Sequence, residues 1–292
     1  EPGCANANGC EYLVGSQTGT TARFQSIVVS QDCTITSQDF LSLEDPSTTN
    51  DMACIQGTRY VLFNNKLTDT VDSANLAAQT SLLASFQDID WTAMAFDKNR
   101  NRIIVGSSQG RLTAWDLPLS KGTFENLPNV VVGVSLGFVY DLKVVEDTLV
   151  VSTNPATADF VVTYNLNTGL LVDSKPLNTT SRQAADIQGG LVAHPVANVL
   201  YSATTSADND AIVISCLSID TATHMVTVGP QVSIAGTVDV SATAATNLIQ
   251  RLRPRFCDGL LQQVIPFGAP NGLWRALGDV AFSRTGGDIS AT

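Results

Sequence analysis

The feature that most constrains the fold is a unit of short apolar strands separated by tight turns, which the sequence repeats along its length. The clearest copy has predicted strands at Trp91–Phe96, Arg102–Ser108, Arg111–Leu117 and Thr123–Val132. Polar turns rich in Asn, Asp and Gly separate these runs, and such turns connect neighbouring antiparallel strands. The unit is therefore predicted to be a four-stranded antiparallel meander.

Two further copies of the unit follow. The second copy has predicted strands at Phe138–Val145, Thr148–Thr153, Phe160–Asn165 and Leu170–Ser174. In the third copy His194 aligns with the turn residue Asp97, and Asn198 aligns with Asn101. Its outer strands are predicted at Ala211–Asp220 and His224–Val232. The copies recur about every 50 residues, a period typical of repeat folds in which each unit forms one sheet.

The two ends of the chain match different parts of this unit. Tyr12–Gly19 matches Ile104–Gly110, so the N-terminal segment enters the unit at its second strand. Asp279–Gly287 matches the first strand and its turn. The sequence therefore predicts that the terminal segments share one sheet, which would close a ring of sheets and remove its open edges.

These patterns predict an all-β chain that forms a single β-propeller domain over residues 1–292. Six four-stranded blades are expected, with seven as the alternative, and the N- and C-terminal strands are expected to share one blade. The remaining blades are placed at residues 46–88, 89–135, 136–184, 185–236 and 237–278. Thr68–Ala78 and Ala242–Phe256 alternate poorly and are predicted to be irregular excursions.

The strand pattern resembles the WD40-, YVTN- and NHL-like propeller superfamily. Thr113–Asp116 is similar to the Trp-Asp end of a WD40 strand, although the accompanying Gly-His is missing and the other units lack the dipeptide. The resemblance covers most of the chain as a strand pattern and implies the propeller fold without a particular family.

Composition narrows the partners that such a chain can have. Hydrophobic residues make up 44% of the chain and charged residues 15%, a balance that argues against disorder. The 16 basic and 27 acidic residues give a net charge of −11, which disfavours nucleic acid and anionic membranes as partners. The apolar stretch Val130–Tyr140 is too short for a membrane span, so membrane insertion is not expected.

The cysteines and the sequence around them predict an extracellular location, either secreted or on the cell surface. The six cysteines are even in number and contain no CxxC pair, which favours disulfides over a metal site; they are Cys4, Cys10, Cys33, Cys54, Cys216 and Cys257. Of the fifteen connectivities, the spacing favours 4–10, 33–54 and 216–257, with residues 1–11 as a disulfide-ringed extension. Six buried thiols in a cytosolic protein are the alternative. The start at Glu1 predicts a mature chain, with part of a larger precursor as the alternative, and Asn178 begins a glycosylation sequon.

Recurring aspartates raise the question of a metal site. Asp90, Asp141, Asp186 and Asp239 recur near the start of each predicted innermost strand, and Asp279 follows the same pattern. Innermost strands converge on the central channel of a propeller, so these acids are candidates for an axial Ca²⁺ site. In the other interpretation, which we favour, each Asp accepts hydrogen bonds from backbone N–H groups. No other cofactor is expected.

Other candidate sites have weaker patterns. Asp97-x-Asn99-x-Asn101 opens like a calcium loop, but Arg102 replaces the required Gly, so a plain hairpin turn is predicted. Neither His194 nor His224 lies in a nucleophile motif.

Surface binding has two candidates in the sequence. Arg251, Arg253 and Arg255 alternate and lie on one side if the segment is extended, which makes them a candidate interaction surface. The three tryptophans offer a sugar-stacking face in principle, but Trp91 and Trp115 are predicted to lie between blades.

The leading functional hypothesis is a secreted, non-catalytic β-propeller that serves as a structural or interaction module of a surface layer, matrix or filamentous appendage. Its partners would be copies of itself or other extracellular proteins. The first alternative is a calcium-dependent lactonase-like or other hydrolase with acids at the channel mouth. The second is a glycan-binding propeller.

Overall fold

The computed structural model describes residues 9–18, 21–30, 35–44, 49–56, 58–63, 66–70, 80–83, 90–121, 123–128, 130–131, 134–154, 160–177, 190–194, 197–205, 211–235, 249–257, 260–268, 275–276, 280–282 and 289–291, and the side chains of part of these. In this part of the chain, no helix is both long enough and apolar enough to cross a membrane.

The described strands form antiparallel sheets in which sequence neighbours pair. Sheet 1 contains β1 (Gly9–Thr18), β2 (Thr21–Ser30) and β3 (Ile35–Glu44). Sheet 2 contains β4 (Thr49–Ile55), β5 (Thr58–Phe63), β6 (Lys66–Thr70) and β7 (Thr80–Leu83). Sheet 3 contains β8 (Trp91–Asp97), β9 (Arg102–Ser107), β10 (Leu112–Asp116) and β11 (Phe124–Leu127). A short 3₁₀ helix, Leu119–Lys121, precedes β11, and a hairpin of β12 (Val130–Val131) and β13 (Val134–Ser135) follows it.

The second half continues in the same way. Sheet 4 contains β14 (Phe138–Val145), β15 (Thr148–Asn154), β16 (Phe160–Asn165) and β17 (Leu170–Pro176). Sheet 5 contains β18 (Leu191–Ala193), β19 (Val199–Thr205), β20 (Ala211–Asp220) and β21 (Met225–Ala235). Sheet 6 contains β22 (Ile249–Cys257), β23 (Leu260–Gly268), β24 (Arg275–Ala276), β25 (Val280–Phe282) and β26 (Ile289–Ala291). The all-β class and the four-stranded meanders are thus confirmed, and β14, β16 and β20 have the predicted bounds.

The predicted sharing of one blade by the two termini is wrong. The segment 12–16 lies in β1, which pairs with β2 in sheet 1. The segment 280–282 is β25, which pairs with β23 and β26 in sheet 6. Each terminal segment has a partner strand close by in sequence, and such local pairing needs little chain closure. Sheet 6 also extends past the predicted blade end at residue 278.

A repeated turn contact supports the alignment of the copies. In sheet 3 the carbonyl of Asn101 accepts the N–H of Leu117 at 2.9 Å. In sheet 5 the carbonyl of Asn198, aligned with Asn101 in the sequence, accepts the N–H of Ile219 at 2.8 Å. Asp147 takes this position in sheet 4, where its carbonyl accepts a backbone N–H at 2.9 Å. The residue before each second strand therefore fixes the end of the third strand.

The core lies between sheets that stack face to face. Successive residues of β9 point in opposite directions: Ile103 and Val105 pack toward sheet 2, whereas Ile104 packs toward sheet 4. Strands covered on both faces are expected to be continuously apolar, as these are. Trp91 and Trp115 are buried between sheets 2 and 3, so their predicted place in the core between blades is confirmed.

Gly106 lies where sheets 3 and 4 approach each other closely. A Cβ at this position would meet Val139 Cγ1 at 2.5 Å and Val139 Cβ at 3.1 Å.

We expect Gly106→Ala to lower the free energy of unfolding by about 1–3 kcal/mol, because the added methyl overpacks the junction. Urea denaturation measures the change. Gly229→Ala is the matched control, since its Cβ would meet nothing closer than 3.4 Å. Adding Val139→Ala to Gly106→Ala should restore part of the loss, and no effect of Gly106→Ala would contradict this close approach.

Candidate functional site

Asp141, one of the four predicted calcium ligands, lies in β14 and is 4% exposed. Its Oδ1 accepts the N–H of Leu142 at 2.8 Å. Its Oδ2 accepts the N–H of Leu191, in β18 of the next sheet, also at 2.8 Å. Lys143 Nζ lies 3.9 Å from Oδ1. Both carboxylate oxygens of Asp141 are therefore used in backbone hydrogen bonds, one of which joins sheet 4 to sheet 5.

Two other aspartates make the same pair of contacts. Asp51 in β4 accepts the N–H of Met52 at 2.9 Å and that of Met94, in β8 of sheet 3, at 3.1 Å. Asp173 in β17 accepts the N–H of Ser174 at 2.9 Å and that of Val226, in β21 of sheet 5, at 3.1 Å. We call Asp51, Asp141 and Asp173 the junction aspartates, because each joins its own strand to a strand of the following sheet.

The junction residues occupy irregular points in their strands. The β4–β5 pairing shifts register between Thr49 and Asp51, and the β14–β15 pairing shifts between Val139 and Asp141. In sheet 3 the corresponding shift spans Trp91 and Ala93, so Thr92 is the bulged residue and lies one position before the equivalent of Asp51 and Asp141. The hydroxyl of Thr92 donates to the carbonyl of Val139 in sheet 4 at 2.5 Å. A bulge changes the direction of a side chain along the strand, which lets these residues reach the adjacent sheet.

Of the other predicted calcium ligands, only Asp90 lies within the described residues. Asp90 is exposed immediately before β8, and its carbonyl accepts the N–H of Ser108 at 2.8 Å. Asp186, Asp239 and Asp279 lie outside the described residues. Within the described part of the chain, no group of three His, Cys, Asp or Glu side chains could hold a metal ion. The geometry of Asp141 is the one expected from the backbone-binding interpretation, and the axial Ca²⁺ site stays a prediction.

Asp97 is the centre of a buried ionic cluster. This cluster explains why an acid begins the turn that resembles a calcium loop. Its side chain is 0% exposed, and Arg102 Nε donates to Oδ2 at 3.0 Å. Arg100 Nη1 donates to both carboxylate oxygens, at 3.2 and 3.1 Å. Arg102 also reaches Glu125 in β11 at 2.8 Å. The residue that replaces the calcium-loop Gly is thus a counter-ion of Asp97, and the predicted hairpin turn is present between β8 and β9.

Arg100 extends this cluster to sheet 4. Its Nη2 donates to Asp147 Oδ1 at 2.9 Å and to Asn167 Oδ1 at 2.5 Å. Asn99 Nδ2 also donates to Asp147 Oδ1, at 3.1 Å. Hydrogen bonds from Asn99 and Arg100 hold the pKa of Asp147 below its usual range. The β8–β9 turn of sheet 3 therefore holds two turns of sheet 4, those at Asp147 and Asn167.

Both histidines have structural contacts. His224 is 8% exposed in the β20–β21 turn, where its Nδ1 lies 2.7 Å from Thr148 Oγ1 in sheet 4. Its carbonyl accepts the hydroxyl of Thr163, also in sheet 4, at 2.7 Å. His194 is 6% exposed, and its Nδ1 accepts the N–H of Ala197 at 3.0 Å. His224 therefore belongs to the same junction between sheets as Asp141 and Asp173.

Several predicted sites fall partly or wholly outside the described residues. Cys216 in β20 is buried, and burial raises its pKa; its predicted bridge to Cys257 is not tested, because the side chain of Cys257 is not described. The side chains of the other five cysteines are not described, and the three disulfides stay predictions. Asn178 and Trp274 also lie outside the described residues. Positions 251, 253 and 255 alternate along β22 opposite Phe267, Ile265 and Gln263, but their side chains are not described.

The sequence interpretation missed Asp51, Asp173 and Thr92 as junction residues. A signal was present for two of them: Asp51 and Asp173 each lie inside a short strand, where an acid is rarely placed without a partner. Their partners could not be predicted from the sequence, because each is a backbone N–H in another sheet. These N–H groups are 43 residues from Asp51 and 53 residues from Asp173. The bulges that aim these side chains have no sequence pattern here.

Four-stranded antiparallel meanders that stack face to face, each joined to the next through its core, define a β-propeller. Among solved structures, the chain is similar to the WD40 domain of coronin from Toxoplasma gondii, with a TM-score of 0.60 and 11% identity over 98% of this chain and 68% of that chain. It is also similar to a chain of the mitotic checkpoint complex, with a TM-score of 0.57 and 10% identity over 93% and 73%. A chain of the nidogen/laminin complex matches with a TM-score of 0.58 and 11% identity over 96% and 92%.

At these identities the likeness shows the fold alone. The propeller resemblance inferred from the strand pattern is therefore confirmed at the level of architecture. No protein-family model and no curated protein sequence matches the chain.

Proposed function

We propose that the chain is a non-catalytic interaction module, a secreted propeller that forms part of an extracellular assembly such as a surface layer, a matrix or a filamentous appendage. The observation that carries the proposal is that most of the buried polar side chains described in the structure form hydrogen bonds and ion pairs within the protein. Asp97, Asp141 and His224 are buried and bonded within and between the sheets. Groups used in this way stabilise a rigid scaffold and leave recognition to its surface.

The comparisons support an interaction role at the level of the fold. Two of the similar structures are complexes by name, the mitotic checkpoint complex and the nidogen/laminin complex. A propeller offers broad, rigid surfaces to a partner, because short loops project from sheets that hold one another in place. We take from these neighbours only that a scaffold of this shape suits protein–protein contact.

Sequence features support the extracellular part of the proposal. The chain carries six cysteines, a sequon at Asn178 and a net charge of −11. Disulfides persist in oxidising compartments, and a net charge far from zero favours solubility. These features suit a durable chain outside the cell.

The proposed role is tested by sedimentation velocity on the purified full chain, alone and mixed with extracellular fractions from the cells that produce it. We expect a species heavier than the monomer. A stable interface of this kind buries on the order of 1,000 Å² or more in total. The same preparation is screened for hydrolysis of esters and lactones with and without Ca²⁺. A strict monomer that hydrolyses a lactone, and loses this activity on chelation and in Asp186→Asn, would contradict the proposal and support the hydrolase alternative.

A further inference from the structure

A layer of small polar side chains lies buried between sheets 4 and 5. Ser152 in β15 is 1% exposed, and Ser202 and Thr204 in β19 are 0% and 1% exposed. The hydroxyls of these three residues have no hydrogen-bond partner within the described part of the chain. We call Ser152, Ser202 and Thr204 the buried hydroxyl layer.

The other buried Ser and Thr side chains that the structure describes are paired. Those that form a hydrogen bond are Ser107, Thr113, Thr148, Thr153, Thr163 and Ser215. Buried polar groups are normally satisfied, so an unpaired one requires an explanation. Because the unpaired Ser and Thr hydroxyls among the described residues all lie at one junction, the explanation must be local to that junction.

Strand register places the layer on the two faces that meet. Ser152 lies opposite Val161 in sheet 4, and Ser202 lies opposite Leu191 in sheet 5. Val161 and Leu191 belong to the hydrophobic core between these sheets. Directly opposite residues share a face, so Ser152 points toward sheet 5 and Ser202 points toward sheet 4. Thr204, two residues after Ser202 in the same strand, points the same way.

The hydrogen bond of Asp141 aligns the two serines. Asp141 lies opposite Ser152 in the β14–β15 pair. Leu191, whose N–H donates to Asp141 Oδ2 at 2.8 Å, lies opposite Ser202 in the β18–β19 pair. Opposite residues of an antiparallel pair have Cβ atoms about 5 Å apart. Each serine is therefore next to one end of this hydrogen bond, and both hydroxyls line the same space as the carboxylate.

Short side chains leave room in this layer. Sheets that pack face to face are about 10 Å apart. Val150 and Leu200, which precede the two serines by two residues in their strands, belong to the core that fills this distance. Serine lacks the methyl groups that Val and Leu contribute, so the layer keeps a space lined by hydroxyls and a carboxylate. Polar spaces of this kind hold ordered water in protein interiors.

Water fits the layer better than a cation does. A hydroxyl has one proton to donate and two lone pairs that accept. Water satisfies both functions, whereas a cation binds the lone pairs and leaves the proton unpaired. Lys143 Nζ also lies 3.9 Å from Asp141 Oδ1, so a positive charge is already present beside the carboxylate.

We propose that the buried hydroxyl layer is a binding site for internal water, which bridges Ser152, Ser202 and the carboxylate of Asp141 between sheets 4 and 5. The water accepts a hydrogen bond from a serine hydroxyl and donates one to the carboxylate, and Thr204 extends the hydrated layer along β19. A bridging water is nearly as favourable as a direct hydrogen bond. Water therefore helps to hold these two blades together, and this proposal is independent of the interaction role.

The number of internal water molecules is measured by magnetic relaxation dispersion of the water signal in solutions of the full chain. The method counts water molecules that stay bound for longer than the protein takes to tumble. Ser202→Val removes one hydroxyl of the layer and fills its space with methyl groups. We expect the dispersion amplitude of this variant to fall by the contribution of at least one water molecule.

Two Thr→Val variants, which change the side-chain volume little, give a second readout. Thr204→Val removes a hydroxyl of the layer. Thr113→Val is the matched control, because the buried hydroxyl of Thr113 in sheet 3 donates to Asn126 Oδ1 at 3.2 Å. With water bound in the layer, both variants lose a hydrogen bond, so we expect both to have a lower Tm than the native chain. Thr113→Val should leave the dispersion amplitude unchanged, and circular dichroism reports that each variant is folded.

The outcomes separate water from the alternatives. If folded Ser202→Val has the dispersion amplitude of the native chain, or if Thr204→Val raises the Tm, the layer is dry and the proposal is wrong. Thermal unfolding in NaCl, KCl and choline chloride at equal ionic strength tests for a cation. A Tm that rises only with Na⁺ or K⁺, and no longer does so in Ser202→Val, would overturn the proposal in favour of a cation site. Sedimentation velocity tests the interaction role separately, so that role can stand when the layer is dry.

Discussion

Replacing Asp97 with Ala is expected to lower the free energy of unfolding by about 3 kcal/mol or more, since it leaves the guanidinium of Arg102 buried without its main counter-ion. Asp97 is 0% exposed and accepts hydrogen bonds from both Arg100 and Arg102. The remaining partner of Arg102, Glu125, has a 58% exposed side chain and cannot replace a buried carboxylate. Urea denaturation followed by circular dichroism measures the difference.

Asp116→Ala is the matched control for Asp97→Ala. Asp116 is half-buried in β10, and its carboxylate accepts the hydroxyl of Thr123 at 2.8 Å. Its loss should cost about 1 kcal/mol or less, because its partner can turn to water. A loss of stability in Asp97→Ala no larger than in Asp116→Ala would contradict the buried ionic cluster. Stabilisation of the native chain by Ca²⁺ that disappears in Asp97→Ala would show that the turn is a cation site.

The second large effect is expected for Asp141→Ala. This change removes the acceptor of two backbone N–H groups, those of Leu142 and Leu191, at a buried junction. An unsatisfied buried donor costs about 1–3 kcal/mol, so we expect a loss of roughly 2–4 kcal/mol in the free energy of unfolding. Asp90→Ala, at an exposed position, should change it by less than about 0.5 kcal/mol. Equal effects in the two variants would contradict the junction role of Asp141.

Much of the fold was predictable because each sheet is local in sequence. The strands Phe138–Val145 and Phe160–Asn165 are apolar runs bounded by turn residues, and their partners lie a short turn away. Both faces of these strands are buried between sheets, so the apolar pattern is strong and its bounds are clear. The same locality explains why the prediction of a blade shared by the two termini is wrong. Each terminal segment pairs with a strand close to it in sequence, not with the distant segment that it matches.

The chemistry of the site was less predictable, because it depends on contacts between sheets. Aspartates recur near the start of each predicted innermost strand, and this pattern includes Asp141. The role of Asp141, however, depends on the position of Leu191 in the following sheet. The turn at Asp97 resembled a calcium loop because a buried ion pair and a metal site both need an acid in a polar turn. Two sequence signals separated them, Arg102 in place of Gly and Ser108 in place of the Glu at the twelfth position, and the hairpin turn that they predict is confirmed.

The role of Asp141 as a link between sheets is tested most directly by amide hydrogen exchange at Leu191. In the native chain this amide donates to Asp141 Oδ2 at 2.8 Å, and we expect Asp141→Ala to speed its exchange by roughly tenfold or more. The amide of Met94, which donates to Asp51 in a different junction, is the internal reference and should change less. Unchanged exchange at Leu191 in Asp141→Ala, together with a loss of its protection when Ca²⁺ is chelated from the native chain, would contradict the link and make Asp141 a metal ligand.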